Sequence, residues 1–307
     1  MQTAAIRIGT RGSPLALAQA EETRRRLAAA LALSPEAIVI VPIRTTGDRL
    51  ADRPLIEAGG KGLFTKEIDE ALLAGRVEIA VHSAKDMPTR LPEGLVIAAC
   101  LKREDVRDAF LSNVASTLAE LPKGAVLGTS SLRRKALALR ARPDLKVLDM
   151  RGNVETRIRK LGEGAADATL LALAGLRRLG LADRATSLID TDQWLPAVAQ
   201  GAIAIVTRAD DAASRALATK IDDRETSLAV AAERAFLGVL DGSCRTPIGG
   251  LARIDGDRLR FRGIIVKPDG SAAHEVERSG AAGDGEKLGA DAGAELARRG
   301  GPDFFTS

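Results

Sequence analysis

Ile8-Gly9-Thr10-Arg11-Gly12-Ser13-Pro14 and Leu127-Gly128-Thr129-Ser130-Ser131-Leu132-Arg133-Arg134 are two renderings of one junction: an apolar strand, a Gly-Thr pair, a serine, then a helical pattern. In the first, Ser13 fits a helix N-cap and Pro14 the first helical position, where the missing N–H is harmless. The free amides and dipole of such a helix start favour an anion, and Arg11 adds a planar fork suited to a carboxylate. Working outward, strand-like segments (VEIAVHS, LVIAACL, KVLDM, DATLLA) alternate with helical ones (KEIDEALLAG, LRRKALALRAR, VETRIRKLGEG). That alternation predicts a parallel-rich α/β architecture that binds ligands at the carboxyl ends of its strands. The repeated junction predicts two similar α/β domains facing each other.

QWLPAVAQGAIAIVTR, residues 193–208, reads as a turn and then a strand that returns to the first sheet. The second domain is therefore expected to be inserted in the first. Beyond residue 222 a long helical pattern, DRETSLAVAAERAFLGVL, precedes three strand-like segments (GGLARI, RLRFRGIIV, HEVERSG) and a last helix near GADAGAELARR. This reads as a smaller C-terminal α+β domain. The expected limits are 1–101 with 201–221 for domain 1, 102–200 for domain 2 and 222–307 for domain 3.

The bulk composition narrows the function. With 45% hydrophobic and 28% charged residues, the 307-residue chain is an ordinary globular protein. No apolar run approaches the ~20 residues of a membrane span, and the N-terminus lacks a secretory pattern. A cytoplasmic protein without membrane contact is expected. Cys100 and Cys244 lie far apart, and His82 and His274 are the only histidines, so no metal site is expected. The net charge of +4 leaves an acidic partner open, but 2% aromatics and no Tyr make nucleic acid a poor fit beside a small anion.

Arg11, Arg133, Arg134, Arg151, Arg157, Arg177 and Arg178 fall at or just beyond strand ends. Each alone reads first as salt-bridged scaffold. Their recurrence at similar turns suits a ligand with many carboxylates. Asp86, in AVHSAKDMP, follows an apolar strand; it reads either as a turn cap or as an ionised group that stabilises a cation or accepts a proton. His82 has strand periodicity and reads as structural. Cys244, between Gly242-Ser243 and Arg245, sits in a polar, cationic setting that favours a thiolate, whereas Cys100 inside VIAACL reads as a buried thiol. The stretch from Thr45 to Gly62 reads as a surface loop or as a lid.

Together IGTRGSPLALAQ, GGKGLFTKEID, IAVHSAKDMPT, REDVRDAF, GTSSLRRKA, LDMRGNVETRI, LAGLRRLGL, LPAVAQGAIAI and ERAFLGVLDGSCRTPIG closely resemble the hydroxymethylbilane synthase family, also called porphobilinogen deaminases, over roughly residues 6–250. The resemblance implies two α/β domains of the type II periplasmic-binding-protein fold around an active cleft, plus the C-terminal domain. It implies a dipyrromethane cofactor held by a thioether on Cys244, serving as primer for the stepwise deaminating addition of porphobilinogen. Hydrolysis then releases hydroxymethylbilane, a linear tetrapyrrole. By the same resemblance Asp86 is catalytic, and Lys85, Thr129, Ser131, Arg133, Arg134 and Arg157 contact the cofactor. Arg11, Ser13, Arg151, Arg157, Arg178 and Gln200 bind substrate carboxylates. Gly60, Lys61 and Phe64 belong to the lid. A monomer acting on porphobilinogen alone is expected.

Overall fold

Ile6–Arg11 (β1) runs into Pro14–Leu31 (α1) across Gly12 and Ser13, and this junction sets the first sheet. The computed structural model describes residues 6–49, 64–240 and 246–305. Contacts divide the chain into two units, residues 1–104 with 202–227 and residues 105–201 with 228–307.

In the first unit, β1 is followed by Ile38–Ile43 (β2), Thr46–Arg49 (α2), Lys66–Leu73 (α3), Ile79–Ser83 (β3) and Leu95–Cys100 (β4). The second unit begins with Asp108–Ser112 (β5), Val126–Gly128 (β6), Leu132–Ala141 (α4), Lys146–Leu148 (β7), Val154–Gly162 (α5), Ala168–Ala172 (β8), Leu173–Arg178 (α6) and Ser187–Leu188 (β9). Ile203–Arg208 (β10) and Ala212–Thr219 (α7) then return to the first unit.

The first sheet has the order β2-β1-β3-β10-β4, with β1 parallel to β2 and β3 and with β10 antiparallel to both neighbours. The second has the order β7-β6-β8-β5-β9, with β6 parallel to β7 and β8 and with β5 antiparallel to both neighbours. Matching β1 to β6, β2 to β7, β3 to β8, β10 to β5 and β4 to β9 makes the two orders identical. This is the expected pair of type II α/β sheets. The antiparallel strand comes last in one unit and first in the other.

Burial explains the strand assignments. Ile203, Ala204, Ile205, Val206 and Thr207 of β10 are all buried, as a strand covered on both faces requires. Ile203 and Ile205 join Ile8, Ile79 and Val81 in one core with Ala20 and Leu27 of α1. Each fully buried Ile or Leu contributes roughly 1.5–3 kcal/mol. In the second unit, Phe110, Leu127 and Leu170 share one core with Trp194 and Leu195 and with Leu251, Ile264 and Val266.

Those last three residues belong to an antiparallel meander of Ile248–Asp255 (β11), Arg258–Val266 (β12) and Ala273–Ala281 (β13). It packs with Arg224–Val239 (α8) and Gly285–Gly300 (α9). The two helices approach so closely that a Cβ on Gly289 would lie 2.0 Å from the Ala232 carbonyl oxygen. This is the smaller α+β module expected at the C-terminus. Among the described residues no helix is long and apolar enough to cross a membrane, and no group of three or more His, Cys, Asp or Glu is placed to hold a metal ion.

Candidate functional site

In the first unit the carboxyl ends of β1 and β3 lie side by side, as their parallel register dictates. At the end of β1, Thr10 is buried and its one hydroxyl proton is shared between the carbonyls of Ala16 (3.3 Å) and Val81 (3.4 Å). Ser13 caps α1 as expected, accepting from the Ala16 amide at 3.4 Å, with Pro14 in the first turn. The Arg11 guanidinium lies 4.3 Å from the centre of the Phe64 ring, so the cation at the helix start rests on an aromatic face.

Beyond β3, a short 3-10 turn, Ala84–Asp86, presents Lys85 and Asp86. Ala84 is buried, and its amide donates to the Ala202 carbonyl at 3.0 Å, which anchors the turn. Lys85 is half-buried and Asp86 exposed. Among the described residues the Asp86 carboxylate accepts no hydrogen bond and forms no ion pair, unlike a turn-capping aspartate. Phe64, Arg11, Ser13, Lys85 and Asp86 thus gather at one edge of one sheet. Gly60 and Lys61 lie outside the described residues, as does most of the expected lid.

Beneath this edge is a titratable pair that sequence reasoning treated only in part. His82 is buried, as a structural residue should be, but among the described residues its Nε2 has no hydrogen-bond partner and lies 4.0 Å from Asp69 Oδ1 of α3. Burial, and secondarily the Arg11 charge, pushes His82 down to about 4. Burial pushes Asp69 up to about 6, against the opposing pull of the neighbouring Thr65. The two shifts act oppositely on stability. The raised Asp69 value gives stability that is present below ~4 and lost as pH rises through ~6; the depressed His82 value gives stability that is present above ~6.5 and lost as pH falls through ~4. At 1.36 kcal/mol per unit each is worth about 3 kcal/mol, so the parent should show little net slope between them. Relative to the parent, Asp69→Asn should gain about 2–3 kcal/mol between pH 4.5 and pH 7.5 in urea unfolding. A difference that does not change with pH would refute the assignment.

In the second unit the equivalent edge carries Thr129, Ser130 and Ser131. Thr129 is buried; its amide donates to the Leu148 carbonyl (2.8 Å) and its hydroxyl accepts from the Ser131 amide (3.2 Å). Ser131 caps α4, accepting from the Arg134 amide at 3.4 Å, which matches Ser13 on α1. After β7, Gly152 adopts φ +120°, which side-chain-bearing residues avoid, and this turn lets Asn153 cap α5 through the Thr156 amide at 2.8 Å. Arg157 reaches back from α5 to donate from Nε to the Gly152 carbonyl (2.9 Å), and Arg151 pairs with Asp149 at 3.0 Å. In α6, Arg178 donates to the Gly201 carbonyl at 2.9 Å, while Arg177 is exposed, 3.6 Å from Asp105.

Three of the residues singled out from the sequence are more enclosed than their strand-end positions suggest. Arg133 and Arg134 are 4% and 5% exposed, not surface cations. Each donates from Nη2 to Asp108 at 2.7 Å, with Nη1 on the Leu195 and Leu170 carbonyls respectively. Gln200 is also buried, its amide nitrogen on Asp108 (2.9 Å) and the Val106 carbonyl (2.8 Å). Consecutive residues on a helix point in different directions, and only the long-range partner Asp108 draws both guanidiniums inward. Burial alone would push Asp108 up, but the charges and hydrogen bonds of the two arginines hold it far below the usual carboxylate range. Sequence reasoning missed Asp108; the signal was a lone acid opening the apolar strand Asp108-Ala109-Phe110-Leu111. Cys244 lies outside the described residues, while Cys100 is buried in β4 as expected.

The family model described as "Porphobilinogen deaminase, dipyromethane cofactor binding domain" matches residues 6–216, and "Porphobilinogen deaminase, C-terminal domain" matches residues 227–298. The curated relative "Porphobilinogen deaminase" of Nitrobacter hamburgensis is 62% identical over 299 residues, 97% of this chain and 95% of the relative. That of Paracoccus denitrificans is 59% identical over 300 residues, 98% and 96% of the two chains. Among solved structures, the methionine binding protein MetQ aligns at 16% identity with a TM-score of 0.46, covering 72% of this chain and 91% of that one. With both family models in sequence order and this identity over nearly the whole length, the chain belongs to the porphobilinogen deaminase family.

Proposed function

We propose that Asp86 is the catalytic group of the reaction this family performs, and that the arginine and serine stations at the two sheet edges hold the carboxylates of its reactants. The enzyme is a transferase that polymerises porphobilinogen to hydroxymethylbilane, and dipyrromethane is its cofactor. The observation that carries the Asp86 reading is its exposed carboxylate, without a partner among the described residues, at the carboxyl end of β3.

In each addition the aminomethyl C–N bond breaks, nitrogen leaves as ammonia, a C–C bond forms to the free α-carbon of the chain end, and that carbon loses its proton. Positive charge develops on a pyrrole ring during this exchange. Asp86 accepts hydrogen bonds from pyrrole N–H, lowers the energy of that cation and holds the departing proton. When bound, the dipyrromethane supplies the first nucleophilic α-carbon.

The donor chemistry fits such a group. The starts of α4 and α5 offer amides, Ser131 and Arg157, and the buried Nε of both Arg133 and Arg134 has no partner. Lys85, Thr129, Ser131, Arg133, Arg134 and Arg157 are assigned to the cofactor, which a thioether on Cys244 holds. Arg11, Ser13, Arg151, Arg157 and Arg178 are assigned to substrate carboxylates, and Phe64 to the lid. Gln200 is assigned to substrate as well, with its amide nitrogen anchored on Asp108.

Three domains with the limits given above, and a cytoplasmic monomer without nucleic-acid partner, complete the reading; few aromatics and a small net charge support its last part. Replacing Arg151 or Arg178 by Leu tests the carboxylate stations. A tenfold or larger rise in KM for porphobilinogen, with the variant folded, is expected from the loss of one charge-assisted pair. Parent-like kinetics for both would remove them from the site.

A further inference from the structure

Asp108 is fully buried and accepts from Arg133 Nη2 (2.7 Å), Arg134 Nη2 (2.7 Å), Trp194 Nε1 (2.8 Å) and Gln200 Nε2 (2.9 Å). A carboxylate has about four lone-pair sites, so its acceptor capacity is used up. The cluster holds two guanidiniums against one carboxylate and is left with one positive charge in excess. The Nε–H of each arginine is buried and without an acceptor among the described residues. Buried cations without full compensation are costly, and such a cluster is completed by an anion. It lies in the first turn of α4, where the Ser131 cap and the helix dipole favour the same sign of ligand.

We propose that Asp108 is a positioning residue for cofactor assembly: it fixes both guanidiniums at the start of α4 while leaving the cluster one negative charge short, the deficit filled by a carboxylate of the dipyrromethane. This rests on the assignment of Arg133 and Arg134 to the cofactor. A second acid in the cluster would cancel the deficit. With none, the arginines would repel each other and lose their orientation. Trp194 and Gln200 complete the shell with neutral donors, so they hold the carboxylate without changing the charge.

Full-length protein produced without its cofactor, then given porphobilinogen, tests this through the rate at which intact mass gains the two-pyrrole increment. Asp108→Asn should load at least 100-fold more slowly. Arg133 and Arg134, mapped by mass after treatment with an arginine-selective dicarbonyl, should react at least tenfold faster than in the parent. Trp194→Phe, which removes only a neutral donor, should load within about threefold of the parent even if it melts lower. Equal loss of loading in Trp194→Phe would make the role merely structural and overturn the proposal; so would parent-rate loading by folded Asp108→Asn. If Asp108→Asn does not fold, Asp108→Glu takes its place: slower loading together with faster arginine modification supports the proposal, and reactive arginines with parent-rate loading overturn it. Normal loading by both Arg133→Ala and Arg134→Ala would instead refute the cofactor assignment of the arginines.

Discussion

Asp86→Asn is expected to lower kcat for porphobilinogen consumption by about a thousandfold, within the 10²–10⁴ range of a lost general acid–base group, while KM changes little. The amide keeps the shape of the carboxylate and one accepting oxygen, but it neither balances a pyrrole cation nor holds a proton. A thousandfold loss corresponds to about 4 kcal/mol of transition-state stabilisation. Because Asp86 is exposed and without a partner among the described residues, the substitution leaves no orphaned group behind. Stability should therefore stay within ~0.5 kcal/mol of the parent. Steady-state rates beside a urea melt separate the two effects. A folded variant with parent kcat would remove Asp86 from the chemistry.

Cys244→Ala is expected to abolish turnover and, in the same sample, the mass increment and the acid-aldehyde colour of a bound dipyrromethane. The two readouts should disappear together, because a protein without its primer has no chain end to extend. Supplying porphobilinogen to the variant should restore neither. A variant that still carries the increment would place the thioether on another residue, and Cys100, buried in β4, is the remaining cysteine.

What the sequence made legible was local. Ser13 and Ser131 announce helix starts by their spacing to the helical pattern, and both are caps. The apolar run Ile203–Val206 announces a covered strand. What stayed hidden depends on partners distant in the chain. Arg133 and Arg134 looked like the other strand-end arginines, and only Asp108 on β5, with Leu170 and Leu195, shows that they turn inward. The unsatisfied His82 Nε2 beside Asp69 was likewise invisible, since no periodicity relates α3 to β3. Asp86 was legible as a candidate because its strand ends abruptly at Met87-Pro88. That its carboxylate accepts no hydrogen bond among the described residues is visible only in the geometry.

The placement of β10 between β3 and β4 in the first sheet also has a consequence for biosynthesis. β3 and β4 are not neighbours; each bonds to β10, which the ribosome delivers only after the whole of residues 105–201. The second sheet draws on nothing outside residues 108–188, so it is complete while the first still lacks the interior strand that joins β3 to β4. Until residue 208 emerges, β3 and β4 expose unpaired backbone, the kind of open edge that invites association with other chains. A nascent chain paused near residue 200 would thus hold a closed sheet downstream of an open one, and that interval is where a chaperone would find its substrate.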